Sequence, residues 1–394
     1  MKLLLNTESL RPPLTGIGNY TFHLVKELSR NKAIESFHCF DGQRFLSPEQ
    51  MLQQYESAAA GYHQTSPAFK AASSRLKSVG RRVPGAYQLR QKVRDLRLLL
   101  QTRQHRGYVY HEPNFILKNH PGPKIATIHD LSFIHYPQFH PVERVEWMMA
   151  GLDDTIAKAD LLLTVSQLVR QELIERFGVA PERVRAIHLG VDPAYHPREA
   201  AQTQAVLDRH GLLHGGYLLF VGTLEPRKGV DLLIEAWARL PQALREAFPL
   251  VLVGSSGWRN DSILARISEL ETTHGLRWLR YVPASDLSLI YAGAATFAYP
   301  SYYEGFGLPV LEAMASGVPV VCTAGTSMAE FAGQAPVLFE QGNTEELSDR
   351  LLSLLDDKPA RDGRSATGLR QAKDFTWQRF ASLTCDAYRS IASR

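Results

Sequence analysis

Glu304 and Glu312 stand with seven residues between them in the stretch Tyr299-Pro-Ser-Tyr-Tyr-Glu304-Gly-Phe-Gly-Leu-Pro-Val-Leu-Glu312. Pro309 fits the first position of a helix, where its missing N–H costs nothing. Glu304 then falls in the loop after an apolar run, and Glu312 about one turn into the helix. Carboxylates so placed do not share a helical face, but they can reach different parts of one extended ligand. Gly305 and Gly307 let backbone amides approach hydroxyl or phosphate oxygens. A plainer role for Glu312 alone is to complement the helix dipole.

A cation pair lies upstream. Arg227 and Lys228 belong to Gly222-Thr-Leu-Glu-Pro-Arg-Lys-Gly229, between a strand-like and a helix-like run. Arginine grips phosphate oxygens through parallel N–H bonds and lysine adds a compact charge, so the pair suits a diphosphate. Gly16 and Gly18 lie between the apolar run 2–6 and the helix-like run 22–28. Glycines there let the backbone face an anion at a helix start. A dinucleotide fingerprint would need a third glycine at position 21, which is Thr21. His129 ends the run 124–129, where an active-site group belongs, and Asp130 is placed to orient its ring. His111 is a lesser candidate for lining an acceptor site. His210 and His214 are four apart with no third ligand, and that spacing is read as chance.

These groups need a frame. Apolar, β-branched or leucine-rich runs at 2–6, 37–40, 108–111, 124–129, 161–165 and 185–189 read as strands, followed by 217–222, 250–254, 277–282, 295–299 and 319–322. Several are apolar almost throughout, as in strands covered on both faces. Their alternation with helical patterns predicts parallel sheets with right-handed crossovers. The series restarts after 193–215, which reads as a linker. The fold class is therefore α/β, with two doubly wound Rossmann-like domains, 1–195 and 196–375, and a cleft between them.

The stretch 304–321 closely resembles the E-x7-E region of the retaining family 4 glycosyltransferases. The likeness extends to 221–229, Thr127-Ile-His-Asp130 and Val165-Ser166, and covers most of the chain outside about 41–107. The resemblance implies the GT-B fold, with a final helix at 376–394 crossing back onto the first domain, and a nucleotide diphosphate sugar as donor. Carried over by position, Glu312 would bind the donor ribose. Glu304 and the amides of Phe306 and Gly307 would hold the transferred sugar, and Leu308 would also belong to the donor site. Arg227 and Lys228 would neutralise the diphosphate, faced by Gly16 and Gly18. Val282 would lie near the base, and His129 near the reacting carbon. Many relatives carry arginine where this chain has Thr223, so Arg227 is expected to take over that charge. Where relatives have Pro-Asn before Gly-Val-Asp, this chain has His188-Leu189, a change expected in a hinge-side loop.

Composition removes other classes. The 394 residues carry a net charge of +4, with 44% hydrophobic residues and three widely spaced cysteines, Cys39, Cys322 and Cys385. A disulfide framework or zinc cluster is not expected. The N-terminal apolar run is too short for a signal peptide, and no run is long enough to span a bilayer. A cytoplasmic protein is expected, without cofactor or metal, since no Asp-x-Asp triplet is present. Residues 70–106 hold 11 Lys/Arg and one acid, interleaved with leucines and valines, a pattern able to lie on anionic lipid. Peripheral attachment to the cytoplasmic membrane, and a lipid-linked glycan as acceptor, follow as expectations. Nucleic acid is a poor partner, because aromatics are nearly absent from that patch. The expected activity is metal-independent retaining transfer from a GDP-mannose-type donor in surface polysaccharide synthesis. The alternatives are a UDP- or dTDP-sugar transferase with a soluble acceptor, and a non-catalytic nucleotide-sugar binder. A nicotinamide dehydrogenase would leave the 304–312 stretch unexplained.

Overall fold

A computed structural model describes residues 1–12, 14, 16–64, 105–257, 259–273 and 275–392. The basic stretch 70–106 lies outside them apart from His105 and Arg106, so the membrane expectation attached to it has no structural counterpart here.

Two sheets form. The first contains β1 (Lys2–Asn6), β2 (Ser36–Phe40), β3 (Phe45–Leu46), β4 (Tyr108–Glu112), β5 (Lys124–Ile128), β6 (Leu161–Thr164) and β7 (Val184–Ala186). Its order is β3-β2-β1-β4-β5-β6-β7, and β2–β3 is its one antiparallel pairing. The second contains β8 (Leu218–Val221), β9 (Leu250–Val253), β10 (Arg277–Leu279), β11 (Thr296–Tyr299), β12 (Val320–Thr323) and β13 (Val337–Phe339). It is wholly parallel, in the order β10-β9-β8-β11-β12-β13. All-buried strands such as Leu250–Val253 and Thr296–Tyr299 show why these runs carry no polar alternation. Chain order reverses between β1 and β4, and again between β8 and β11. In open parallel sheets such switch points open a crevice beyond the strands' carboxyl ends.

Every anticipated strand is present. The short β3 and β13 were not anticipated, since two or three residues carry too little pattern. The supposed linker holds a helix, Ala200–Arg209, which starts with a reciprocal cap between Glu199 and Gln202 and packs on the helix Ala284–Ala292. The last helix, Trp377–Ala392, returns to the first half. It packs on the helix Gly16–Leu28 and on β4, burying Trp377, Phe380, Tyr388 and Ile391. The two crossings touch, because Val191 N–H donates to the Phe375 carbonyl at 3.1 Å. No helix among the described residues is long and apolar enough to cross a membrane.

Candidate functional site

The turn Pro226–Lys228 follows β8. It ends at Gly229, whose φ is 65°, and a Cβ there would stand 2.2 Å from the Pro300 carbonyl oxygen. Only glycine fits this left-handed, crowded position. The close approach brings Arg227 and Lys228 against the loop after β11. Lys228 Nζ meets Glu304 Oε1 at 2.5 Å, and Arg227 Nη1 lies 3.7 Å from Glu304 Oε2. Ser301 Oγ donates to the same carboxylate at 2.7 Å. Burial would raise the Glu304 carboxyl, but Lys228 and Arg227 outweigh it and hold it below the usual range. Burial and the neighbouring Arg227 depress the Lys228 ammonium.

Arg227 is not free to lie wholly along a diphosphate. Its guanidinium pairs with Glu225 at 2.8 Å and donates to the Tyr303 carbonyl at 2.6 Å. Its buried Nε has no hydrogen-bond partner among the described residues. Asp130, from the first half, also faces it. Burial would raise Asp130, yet Arg227 and the amide and hydroxyl of Ser132 bring it below normal.

Gly307, with φ 101°, caps the helix Leu308–Ala315. Pro309 is the second helical residue rather than the first. Ser327 Oγ donates to the carbonyls of Glu304 and Phe306 at 2.7 and 3.1 Å. Among the described residues, none accepts from the amides of Gly305, Phe306, Gly307 or Leu308. Those donors stand beside Lys228 and Glu304 at a positive helix end, an arrangement made for anionic or hydroxyl oxygens. The Phe306 ring stacks on Phe331 at 4.4 Å and is a packing element, so its contribution here is its amide.

Glu312 lies one turn into that helix. Burial pushes its carboxyl up to about 7, and Tyr291 and Tyr195 pull it partly back. Neither tyrosine carried a sequence signal, since each is brought in from a separate segment. Val282 sits in the loop between β10 and the helix Ala284–Ala292, packed at the margin of the second half's core.

On the opposite side, the helix after β1 begins at Gly16, so both glycines occupy its first turn rather than a preceding loop. A Cβ at Gly16 would meet nothing within 4 Å, whereas at Gly18 it would press on Leu14 and the Ser9 carbonyl at 3.0 and 3.1 Å. Gly16 therefore faces open space and Gly18 serves packing. His129 directly follows β5. Its Nε2 lies 2.7 Å from the Pro113 carbonyl and must carry the proton to donate, which leaves Nδ1 as an acceptor. Tyr20 meets the ring edge-on at 4.8 Å, and burial lowers its pKa. Asp130, expected to orient this ring, instead accepts from the Ser132 amide at 2.9 Å. His111 does not line an acceptor site. It is fully buried, bridging Tyr388 at 2.7 Å and Thr127 at 2.8 Å, with its pKa pushed down to about 3 by burial. His214 pairs with Thr203 at 2.9 Å, and no metal-holding group of three acids, histidines or cysteines occurs among the described residues.

The two sides meet. A Cβ at Gly305 would stand 1.8 Å from the His129 carbonyl oxygen, so the loop carrying Glu304 rests directly on the segment carrying His129. Two partly buried cations, a carboxylate bonded to them and unpartnered helix-start amides are thus set against the segment carrying a neutral His129 imidazole, with Glu312 farther along the same helix. Such a set can hold a diphosphate and an adjoining polyol.

Comparison with known proteins points the same way. Residues 14–195 match the family described as Glycosyltransferase Family 4, and residues 213–369 match glycosyl transferases group 1. The O-antigen chain mannosyltransferase B of Escherichia coli is 37% identical over 392 residues, covering 99% of this chain and 100% of that protein. The serotype-specific mannosyltransferase WbdA of Escherichia coli is 28% identical over 69% of this chain and 34% of its own length. The Anabaena HepE structure in complex with UDP and glucose shares the fold, with a TM-score of 0.72 at 16% identity, covering 99% of this chain and 100% of that one.

Proposed function

The chain belongs to the family 4 glycosyltransferases with the GT-B fold, and we propose that it transfers mannose from a nucleotide diphosphate donor of GDP-mannose type to a lipid-linked, O-antigen-like glycan. The observation that carries this reading is the Arg227–Lys228–Glu304 cluster set beneath the unpartnered amides of 305–308. Likeness to the Escherichia coli O-antigen mannosyltransferase supports the choice of sugar.

In the reaction proposed, the bond from the anomeric carbon to the β-phosphate oxygen breaks and its electron pair leaves with the diphosphate. Lys228, Arg227 and the helix-start amides neutralise that charge without reorganising during the step. The acceptor hydroxyl attacks from the same face, its proton passing to the departing phosphate oxygen, so the configuration is retained. Glu304 exchanges its bond to Lys228 for hydroxyls of the sugar once phosphate arrives. Glu312 accepts from the ribose, Gly16 leaves room for the diphosphate, and Val282 borders the base. Neutral His129 receives a sugar hydroxyl at Nδ1. No metal is assigned a role, since two buried cations serve the leaving group. The work is placed on the cytoplasmic face of the membrane, with 70–106 against anionic lipid.

The test is a thermal-shift panel with GDP, UDP, ADP and dTDP, followed by transfer from GDP-mannose to octyl mannoside. Nucleotide that binds the native state alone raises the melting temperature by mass action. GDP is expected to shift it most, and mannose to be transferred with retention. A larger shift with UDP or dTDP reassigns the donor. Binding without transfer to any acceptor in a mannoside screen defeats the enzymatic reading.

A further inference from the structure

Tyr303 ties three parts of the crevice together. Its carbonyl accepts from Arg227 Nη1 at 2.6 Å. Its ring is 6% exposed and lies 5.0 Å from that of His135. Its hydroxyl donates to Glu172 Oε2 at 2.5 Å and accepts from the Leu131 amide at 3.2 Å. Leu131 is two residues beyond His129, and Glu172 lies in the helix Gln167–Phe177, so the hydroxyl is anchored in the first half while the backbone belongs to the donor loop of the second. Glu172 is fixed in turn, its Oε1 lying 3.0 Å from His135 Nε2.

Resting on the transferase reading, we infer that Tyr303 is a positioning residue, a strut that sets the distance between the donor loop at Arg227 and Glu304 and the acceptor-side segment at His129–Leu131. It touches no reacting atom. A transfer step needs donor and acceptor oriented together, and a displacement of about 1 Å can cost on the order of a hundredfold. A buried residue bonded to the first half through its hydroxyl and to Arg227 through its carbonyl is suited to fixing that distance. Water needs no such alignment, so donor hydrolysis should be less sensitive than transfer.

The test compares Tyr303→Phe, Glu172→Gln, Glu172→Ala and the Tyr303→Phe/Glu172→Ala double variant, using GDP-mannose and octyl mannoside. Tyr303→Phe keeps the ring and its packing. Its donor Kd should stay within about twofold, its transfer kcat should fall by about tenfold, and hydrolysis should rise relative to transfer. Glu172→Gln keeps an oxygen for the hydroxyl and should retain most activity. Glu172→Ala should also lower transfer, and the double variant should lose less than the two single losses combined, because the singles share the Tyr303–Glu172 bond. Wild-type kcat and hydrolysis ratio in Tyr303→Phe, additive losses in the double variant, or a loss confined to donor affinity would overturn the strut. A wild-type protein that binds no nucleotide diphosphate sugar defeats the transferase reading instead, which keeps the two failures apart.

Discussion

Glu304 and Lys228 hold each other in a close ion pair. Two cations side by side in a partly buried place repel, and Glu304 is the acid that contacts both, with Glu225 also paired to Arg227. Lys228→Ala and Glu304→Ala should each lower turnover by roughly a hundredfold, comparable to losing one oxyanion donor. They should differ in pH response. Without Glu304, the already depressed Lys228 ammonium loses its counter-charge, so Glu304→Gln should shed residual activity at lower pH than wild type as pH rises. A kcat/KM profile for GDP-mannose that falls at the same pH in both proteins would separate the lysine's ionisation from Glu304. Glu312 gives a second pH signature. Its carboxyl is raised to about 7. A raised acid stabilises fully below its unfolded value and loses that contribution as pH climbs through its folded one. Wild type should therefore lose on the order of 3 kcal/mol between about pH 4.5 and 7 that Glu312→Gln does not lose. Denaturant titrations across that range check it. The four charged candidates could be singled out in the sequence because their types are conspicuous and each pair lies close in sequence. Tyr195, Tyr291 and Glu172 were not, since only the fold brings them in. His111 misled because nothing local shows that its two ring nitrogens are already taken by Thr127 and Tyr388.

Elements position these residues through a few glycines. The strands were readable because burial on both faces leaves long apolar runs. The helix start at Gly16 was not, because glycine is a poor helix former and the apolar pattern strengthens only at Phe22. The ten-residue helix after the first half was hidden in a segment whose prolines and histidines read as a connection. Gly305 and Gly16 provide a matched experiment. Alanine at 305 must push the donor loop off the His129 carbonyl. Gly305→Ala should lower kcat more than tenfold and reduce the melting temperature, since backbone gives way poorly. Alanine at 16 meets no atom, so Gly16→Ala should keep or slightly raise stability, by about 0.5–1 kcal/mol from helix propensity. It should still weaken donor binding if the diphosphate faces that turn. Unchanged donor Kd in Gly16→Ala removes Gly16 from the site.

The halves of the whole molecule are held by discrete links, and the failure of one should be visible as lost cooperativity. The chain crosses twice, at 190–191 and 375–377, and a Cβ at Gly190 would stand 2.2 Å from the Trp377 backbone nitrogen. Away from the crossings, Glu330 of the second half accepts from the amides of Gln167 and Leu168 at 2.8 and 3.0 Å and lies 2.6 Å from His188 Nε2. It thus caps the positive end of a first-half helix. His188 is the third partner of that cap. Burial would raise Glu330, but His188 and the two amides hold it below its ordinary 4.5. A depressed acid stabilises above its unfolded value and loses that contribution as pH falls through its folded one, the opposite sign to Glu312. Glu330→Ala should therefore split the calorimetric unfolding of the chain at neutral pH into two transitions, one per half. Wild type should begin to split only on acidification from about 4.5 downward, and the variant should show little further change there. A single unshifted transition in Glu330→Ala would mean that the crossings, the Gly305 contact and the Tyr303 hydroxyl couple the halves without Glu330.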